Sequence, residues 1–390
     1  MHIVEHEDPL LLVPGPSNLI PSVRKALLRH VGHRSDIFRR IFKDVVTYLK
    51  EIFDTEGDVY IFTASGTGAV EASIMNFISR NDKVLCIIYG TFGRRFAEQV
   101  KRITENVYIF KVDYGEVPNV DRIREFLEYN KIRELDVVTV VYNETNPGTR
   151  FRDLKSLAKL AHEYGAIIIV DNVSGLGGDY FTCSGWSIDV AFSSSQKCLG
   201  APPGISFITY RTVEAERKLR NNTCLSTYFD LKICKKFLER NETPFTPAVN
   251  VLNALREALH YICDNVGLDR WIRWHYSRAE LIVKILEKIG MKTFVEDEYK
   301  RSITVLSFKP PENFKVSELK LELYNKYGID IADGMDELKG RIVRVGNMGW
   351  ITRRDIILLA GSLIAVLSRK VEIENVEEIF RLIHEKELLV

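Results

Sequence analysis

Lys197 and Asp171 are the residues whose type and placement point most directly to chemistry. Lys197 lies in Asp189-Val-Ala-Phe-Ser-Ser-Ser-Gln-Lys-Cys-Leu-Gly-Ala-Pro-Pro-Gly204. There a short apolar run gives way to serines, Gln196 and the lysine, and glycine and proline then end any regular element. Held at a strand or turn end, this lysine is either a solvated surface charge or an amine aimed at a ligand. Upstream, Ile167-Ile-Ile-Val-Asp171 is a β-branched run closing on an acid, the pattern of a buried parallel strand. Such strands deliver their last residues to the carboxyl edge of the sheet, where open α/β folds bind ligands. An acid and a lysine at neighbouring strand ends suit pyridoxal phosphate, whose aldehyde a lysine holds as a Schiff base and whose pyridinium nitrogen an acid partners.

The segment Ser-Ser-Gln-Lys-Cys-Leu-Gly-Ala-Pro-Pro-Gly, with Val-Asp-Asn-Val-Ser-Gly-Leu-Gly-Gly upstream, resembles the class V aminotransferases, closest to their alanine:glyoxylate and serine:pyruvate branch. The resemblance implies an α/β protein of fold type I, with a mostly parallel central sheet in a large domain and a smaller C-terminal α+β domain. It implies a pyridoxal 5'-phosphate transaminase with Lys197 and Asp171 catalytic and Gln196 beside the lysine on the cofactor. The amino group would pass between alanine or serine and a small 2-oxo acid, glyoxylate or pyruvate.

A second informative stretch is Val59-Tyr-Ile-Phe-Thr-Ala-Ser-Gly-Thr-Gly-Ala-Val-Glu-Ala72, which reads as strand, glycine turn and helix. Small residues let the backbone approach a ligand, and the helix start offers unpaired N–H groups and the positive end of its dipole to an anion. Any tight strand-to-helix turn also needs glycine, so the turn alone leaves the ligand open. It is not a Walker loop, since no Gly-Lys-Ser/Thr follows, and it lacks the third glycine of a dinucleotide fingerprint. With Lys197 downstream, cofactor phosphate is the favoured reading. By resemblance, Ser65, Gly66 and Thr67 form the cup.

Five further residues take roles only from the resemblance. Phe92, in the turn Gly90-Thr-Phe-Gly, matches an aromatic that stacks on the cofactor ring, a place where the nearest branch frequently has tryptophan; the alternative is ordinary packing. Thr145, in Asn143-Glu-Thr-Asn-Pro-Gly, matches a hydroxyl near the ring oxygen, against a plain turn former. Thr246, in Asn241-Glu-Thr-Pro-Phe-Thr-Pro247, matches a threonine that crosses a dimer interface to the partner's cofactor phosphate. Thr243 stands where the nearest branch often has a tyrosine, which puts one phosphate contact in question. Gly15, in the Pro-Gly-Pro arm, and Arg344, in Arg-Val-Gly, match substrate-binding positions. The alternatives are an ordered terminus and a surface salt bridge. A guanidinium offers a carboxylate the bidentate fork it accepts. Arg34 reads as a surface arginine with a substrate-side role as the alternative.

These residues must be held by an alternating framework. Strands and helices succeed one another from residue 59 to residue 171, which predicts a mostly parallel sheet wrapped by helices on both faces. Apolar spacing predicts helices over 21–30, 37–53, 249–266, 269–289, 316–327 and 355–367, and strands over 302–308 and 340–345. The face expected to be buried in 37–53 is Ile37, Ile41, Val45, Tyr48 and Ile52. The division expected is an arm over 1–20, a large cofactor-binding domain over 21–266 and a small domain over 267–390. At about 150 residues per domain, 390 residues suit two or three.

A net charge of +1, from 54 basic and 53 acidic residues, gives no electrostatic reason to expect nucleic acid or an anionic membrane. Six cysteines with no CxxC pair and no metal-ligand cadence among eight histidines predict reduced thiols, no metal and a cytoplasmic enzyme. No apolar run approaches the roughly 20 residues that span a bilayer. The partners expected are small substrates and a second copy of the chain in a homodimer with shared active sites. Rival readings are a same-fold transaminase for aspartate or an aminophosphonate, a cysteine desulfurase or lyase, and a non-catalytic homologue. Against the desulfurase, Gln196 rather than histidine precedes the lysine, and no cysteine follows Cys263.

Overall fold

The β-branched runs form strands because both of their faces are covered, which is where Val and Ile pack best. In the computed structural model, which describes residues 4–386 and residue 388, β1 (Leu10–Leu12) comes first. It is followed by β2 (Asp58–Phe62), β3 (Val84–Ile88), β4 (Val107–Lys111) and β5 (Val137–Val141). A short hairpin, β6 (Asn143–Glu144) with β7 (Thr149–Arg150), precedes β8 (Ile167–Asp171), β9 (Val190–Ser194) and β10 (Ser206–Tyr210). Every residue of β3, β5, β8, β9 and β10 is buried.

Seven of these strands form one sheet in the order β2-β10-β9-β8-β5-β3-β4. Only β10 runs against its neighbours. Helices cover both faces. On one lie α1 (Pro21–Ala26), α2 (Asp36–Phe53) and the helix Val249–His260; on the other lie α3 (Gly66–Phe77) and α4 (Thr91–Val100). The buried face of α2 is Phe38, Ile41, Phe42, Val45, Leu49, Ile52 and Phe53, so Ile37 and Tyr48 are not part of it as expected. The aromatic pair Phe38 and Phe42 rotates the stripe, because burying rings contributes more than burying Ile37 and the amphipathic Tyr48.

A second sheet has the order β1-β13-β14-β12-β11, formed by β11 (Lys292–Thr293), β12 (Val305–Lys309), β13 (Ile329–Asp333) and β14 (Val343–Gly346) with β1. Its own apolar core lies under the helices Leu268–Lys288, Val316–Tyr327 and Arg353–Leu367. The N-terminal arm is thus a strand of this sheet, with β1 parallel to β13 in the register Leu10↔Ile329.

Several boundaries differ from expectation. The first helix stops at Ala26 rather than residue 30, where Leu28 and Arg29 bond back to Lys25 and Ala26 in the tighter three-residue pattern. The helix expected over 249–266 is α-helical to His260 and widens into a π-helix over Tyr261–Val266 before Gly267, at φ +86°, ends it. The strand expected over 340–345 begins only at Val343, which leaves Arg341 outside it and exposed. β13 was not anticipated; it alternates Ile329, Ile331 inward with Asp330 between them, too short a run to stand out.

Candidate active site

The carboxyl ends of β2, β3, β5, β8 and β9 come to one edge of the seven-stranded sheet, and each is followed by a candidate residue. Asp171 is the last residue of β8, in register with Val141 and Phe192. Lys197 follows β9 in a turn closed by its own bonds: Ser195 Oγ donates to Pro202 O at 2.5 Å, and Gly200 N to Lys197 O at 3.1 Å. The arm lies directly on this turn. Ser17 Oγ donates to Lys197 O at 2.7 Å, Ser17 N to Gln196 O at 3.1 Å, and Lys197 Nζ donates to the Pro14 carbonyl. Gly15, at φ +86°, leaves no room for a side chain, since a Cβ there would stand 2.6 Å from Lys197 Cδ.

Burial sets the electrostatics of the pair. It pushes the Lys197 ammonium down to about 8, helped by the Arg344 guanidinium and opposed by Cys198 and Asp171. It pushes the Asp171 carboxyl up to about 6, opposed by the Val173 N–H that donates to Oδ1 at 2.8 Å and by Lys197. An amine held near 8 gives up its proton far more readily than an ordinary lysine, so a usable fraction is free to bond to a carbonyl carbon or take up a proton near neutral pH. A buried carboxylate lacking a cationic hydrogen-bond partner suits a protonated ring nitrogen.

The glycine turn after β2 meets the same edge. Ser65 caps α3 without using its hydroxyl on the helix, and a Cβ at Gly66 would lie 3.0 Å from the Val173 side chain and 3.2 Å from Ser194 Oγ. Ser65 and Thr67 are exposed around the buried Gly66. After β3, the backbone N–H groups of Phe92 and Gly93 donate to the two carboxylate oxygens of Glu144, at 3.0 and 2.5 Å. Glu144 is fully buried; burial pushes it up to about 8 although those two N–H groups hold it down. Arg95 lies 5.3 Å from the centre of the Phe92 ring.

Thr145 is buried after β5, and its carbonyl accepts from Arg344 Nη1 at 3.1 Å. Arg344 Nε donates to Asp333 O at 2.7 Å, and burial pushes the guanidinium down to about 10. The structure thus brings Gly15, Asp171, Gln196, Lys197, Thr145 and Arg344 together, with Phe92 hung from Glu144.

Thr246 stands apart. It is exposed, and among the described residues no hydrogen bond joins it to the lysine turn. Its loop is fixed by the buried Glu242, which accepts from Arg34 Nη1 at 2.6 Å and Arg39 Nη2 at 2.7 Å, and by Ala248 N donating to Thr63 Oγ1 at 2.8 Å. Thr243 turns its hydroxyl onto Phe245 O at 2.7 Å, and Arg34 serves this loop through Thr243 O at 2.9 Å.

Sequence reasoning passed over Glu144, Asn146 and the Pro14 carbonyl. Glu144 offered one signal, an acid three residues past the β-branched run that ends at Val141, but its partners are backbone groups on α4 that no pattern announces. Several buried side-chain oxygens at this edge, Ser194 Oγ, Gln196 Oε1 and Asn172 Oδ1 among them, have no hydrogen-bond partner. Buried polar atoms are seldom left so, and together with the lysine of lowered proton affinity, the buried acid and the side-chain-free Gly66 they fit pyridoxal phosphate. Among the described residues no helix is long and apolar enough to cross a membrane, and no group of His, Cys, Asp and Glu is placed to hold a metal ion.

Known proteins place this geometry. Residues 22–345 match the family profile described as Aminotransferase class-V. An uncharacterized aminotransferase of Methanocaldococcus jannaschii is 37% identical over 350 residues, covering 89% of this chain and 90% of that protein. The serine–glyoxylate aminotransferase of Methylorubrum extorquens is 28% identical over 372 residues, 93% of this chain and 92% of its own length. The crystal structure of an alanine–glyoxylate aminotransferase from Nostoc sp. superposes with a TM-score of 0.87 at 30% identity, covering 94% of this chain and 97% of that one. This chain therefore belongs to the class V aminotransferases, pyridoxal-phosphate enzymes of fold type I.

Proposed function

We propose that the enzyme moves an amino group between alanine or serine and a small 2-oxo acid, glyoxylate or pyruvate. The observation that carries this reading is the buried Arg344, anchored on two carbonyls and close enough to Lys197 to lower its proton affinity. A carboxylate gripped there would present its α-carbon to the lysine, and the arm packed on the lysine stem at Gly15 favours a short side chain. The relatives named for serine and alanine with glyoxylate support the same choice.

Pyridoxal phosphate, when bound, supplies the carbonyl that takes up the amino group and the ring that withdraws electrons from the α-carbon. Lys197 would hold it and, once displaced by the incoming amine, move the proton between the substrate α-carbon and the C4' carbon. Asp171 would keep the ring nitrogen protonated. Ser65, Gly66 and Thr67 would bind the phosphate with their backbone and hydroxyl groups, Phe92 would stack on the ring, Thr145 would meet the ring oxygen and Gln196 would flank the lysine. Arg344 would fix the α-proton perpendicular to the ring. Thr246, exposed and with no hydrogen bond to its own lysine turn among the described residues, would complete the phosphate site of a second copy, making the enzyme a homodimer. In this division 1–20 closes the site, 21–266 carries the cofactor and 267–390 supplies Arg344.

A donor and acceptor panel tests the reading. Alanine or serine with glyoxylate or pyruvate should give the highest kcat/KM, and Arg344→Ala should lower it with the visible absorbance of bound cofactor intact. Losing one partner of a buried charge pair, at roughly 2–5 kcal/mol, corresponds to about thirtyfold or more. Preference for aspartate or an aminophosphonate would refute the substrate assignment.

A further inference from the structure

The segment Asp333–Asp336, which carries one of the two carbonyls holding Arg344, is fastened to the cofactor side of the molecule by a network that the reaction as described does not use. Asn146 follows Thr145, whose carbonyl is the other anchor of Arg344. The Asn146 amide spans three groups: Nδ2 donates to Thr91 Oγ1 at 2.8 Å and to Met335 O at 3.3 Å, and Oδ1 accepts from Met335 N at 3.1 Å. The next residue, Asp336, accepts from Thr91 Oγ1 at 2.6 Å, and its Oδ2 lies 2.6 Å from Arg94 Nη2. Thr91 and Arg94 flank Phe92 and Gly93, whose N–H groups are held by Glu144. Arg344 Nη2 has no protein partner among the described residues, so the guanidinium is fixed by Nε and Nη1 and keeps a donor free.

Asp336 occupies the left-handed region at φ +51°, where a residue with a Cβ is strained and glycine is not. An aspartate kept in that conformation, with its carboxylate on Thr91 and Arg94, is better accounted for by what its side chain holds than by the turn it makes. Its exposure is modest, the side chain being 28% accessible; Arg94 is the cation bonded to it and Arg95 adds attraction from nearby, with the Tyr114 hydroxyl at 3.4 Å.

We propose that Asp336 is a positioning residue: by latching the Asp333–Asp336 segment to Thr91 and Arg94 at the start of α4, it sets where Arg344 stands over the substrate carboxylate. The proposal rests on the reading of Arg344 as the carboxylate receptor. It predicts that loss of the latch weakens the grip on any substrate that carries a carboxylate and leaves the cofactor untouched, because Lys197, Asp171 and the glycine turn lie outside the network and Phe92, between Thr91 and Arg94, keeps its own anchor on Glu144.

The test is Asp336→Gly in the holoenzyme. Glycine removes the carboxylate and relieves the positive φ, so thermal stability should stay level or rise while KM for both the amino acid and the 2-oxo acid rises about tenfold, the effect of one charge-assisted hydrogen bond. The absorbance and affinity of bound pyridoxal phosphate should equal the parent's, and a simple amine lacking a carboxylate should convert the bound cofactor at the parent rate. Thr91→Val should reproduce the KM effect and Thr91→Ser, which keeps the hydroxyl, should restore it. Parent KM values in Asp336→Gly would overturn the latch, as would an equal loss with the simple amine, which would mark a general structural role. Arg344→Ala separates the two readings. If it raises KM and Asp336→Gly does not, the latch alone falls; if Arg344→Ala leaves KM unchanged, the assignment of Arg344 falls and the latch with it.

Discussion

Burial of Lys197 has a consequence for stability that can be measured without substrate. The fold holds its ammonium at about 8 against the ordinary 10.5, chiefly by desolvation. In the cofactor-free enzyme the unfolded chain therefore binds more protons than the folded one between those pH values, and stability rises with pH across that window. Below about pH 8 the folded state carries the full deficit. The fall from 10.5 to about 8 amounts to roughly 3 kcal/mol at about 1.4 kcal/mol per pH unit. Of that, about 2 kcal/mol is recovered between pH 7 and pH 9.5. Lys197→Met keeps the apolar stem and removes the titrating group. Urea unfolding of the two cofactor-free proteins at a series of pH values should show the parent gaining about 2 kcal/mol on the variant over this range. Asp171, at about 6, is already ionised for most of the window, and other titrating groups are common to both proteins. A difference between parent and variant that stays flat with pH would show that Lys197 titrates as a solvated amine, and the argument from burial would fail.

Two further outcomes follow from the site. If Thr246 completes the phosphate site of a second copy, then mixing Lys197→Ala with Thr246→Ala should give heterodimers with one intact site and about half the parent activity, the ratio set by having two sites per dimer; mixtures no better than the separate variants would remove the shared site. In Gly15→Ala, a Cβ would sit 2.6 Å from Lys197 Cδ at a φ that L residues avoid at roughly 1–2 kcal/mol, so kcat/KM should fall about tenfold or more with the circular dichroism unchanged. Parent activity in that variant would mean the arm does not press on the lysine.

The chain by itself determined the kind of protein and singled out Lys197 and Asp171. The β-branched run ending in Asp171 has the pattern of a buried strand, the short apolar run before Gln196 and Lys197 leads to a strand or turn end, and strand ends in an alternating α/β pattern point to one edge. The glycine turn at Ser65, Gly66 and Thr67 was legible for the same reason: local conformation is written locally. What tertiary structure decided is everything that depends on which backbone faces which. The arm as a strand beside β13, Pro14 O on the lysine amine, Glu144 beneath the Phe92 turn and Arg344 spanning Asp333 O and Thr145 O join segments far apart in sequence through carbonyl and N–H groups. Every residue carries those groups alike, so residue type gives no sign of them. The same holds for the acidities: Lys197 near 8 and Asp171 near 6 are set by removal of water from a cleft that exists only once the edge of one sheet and the arm have closed over it.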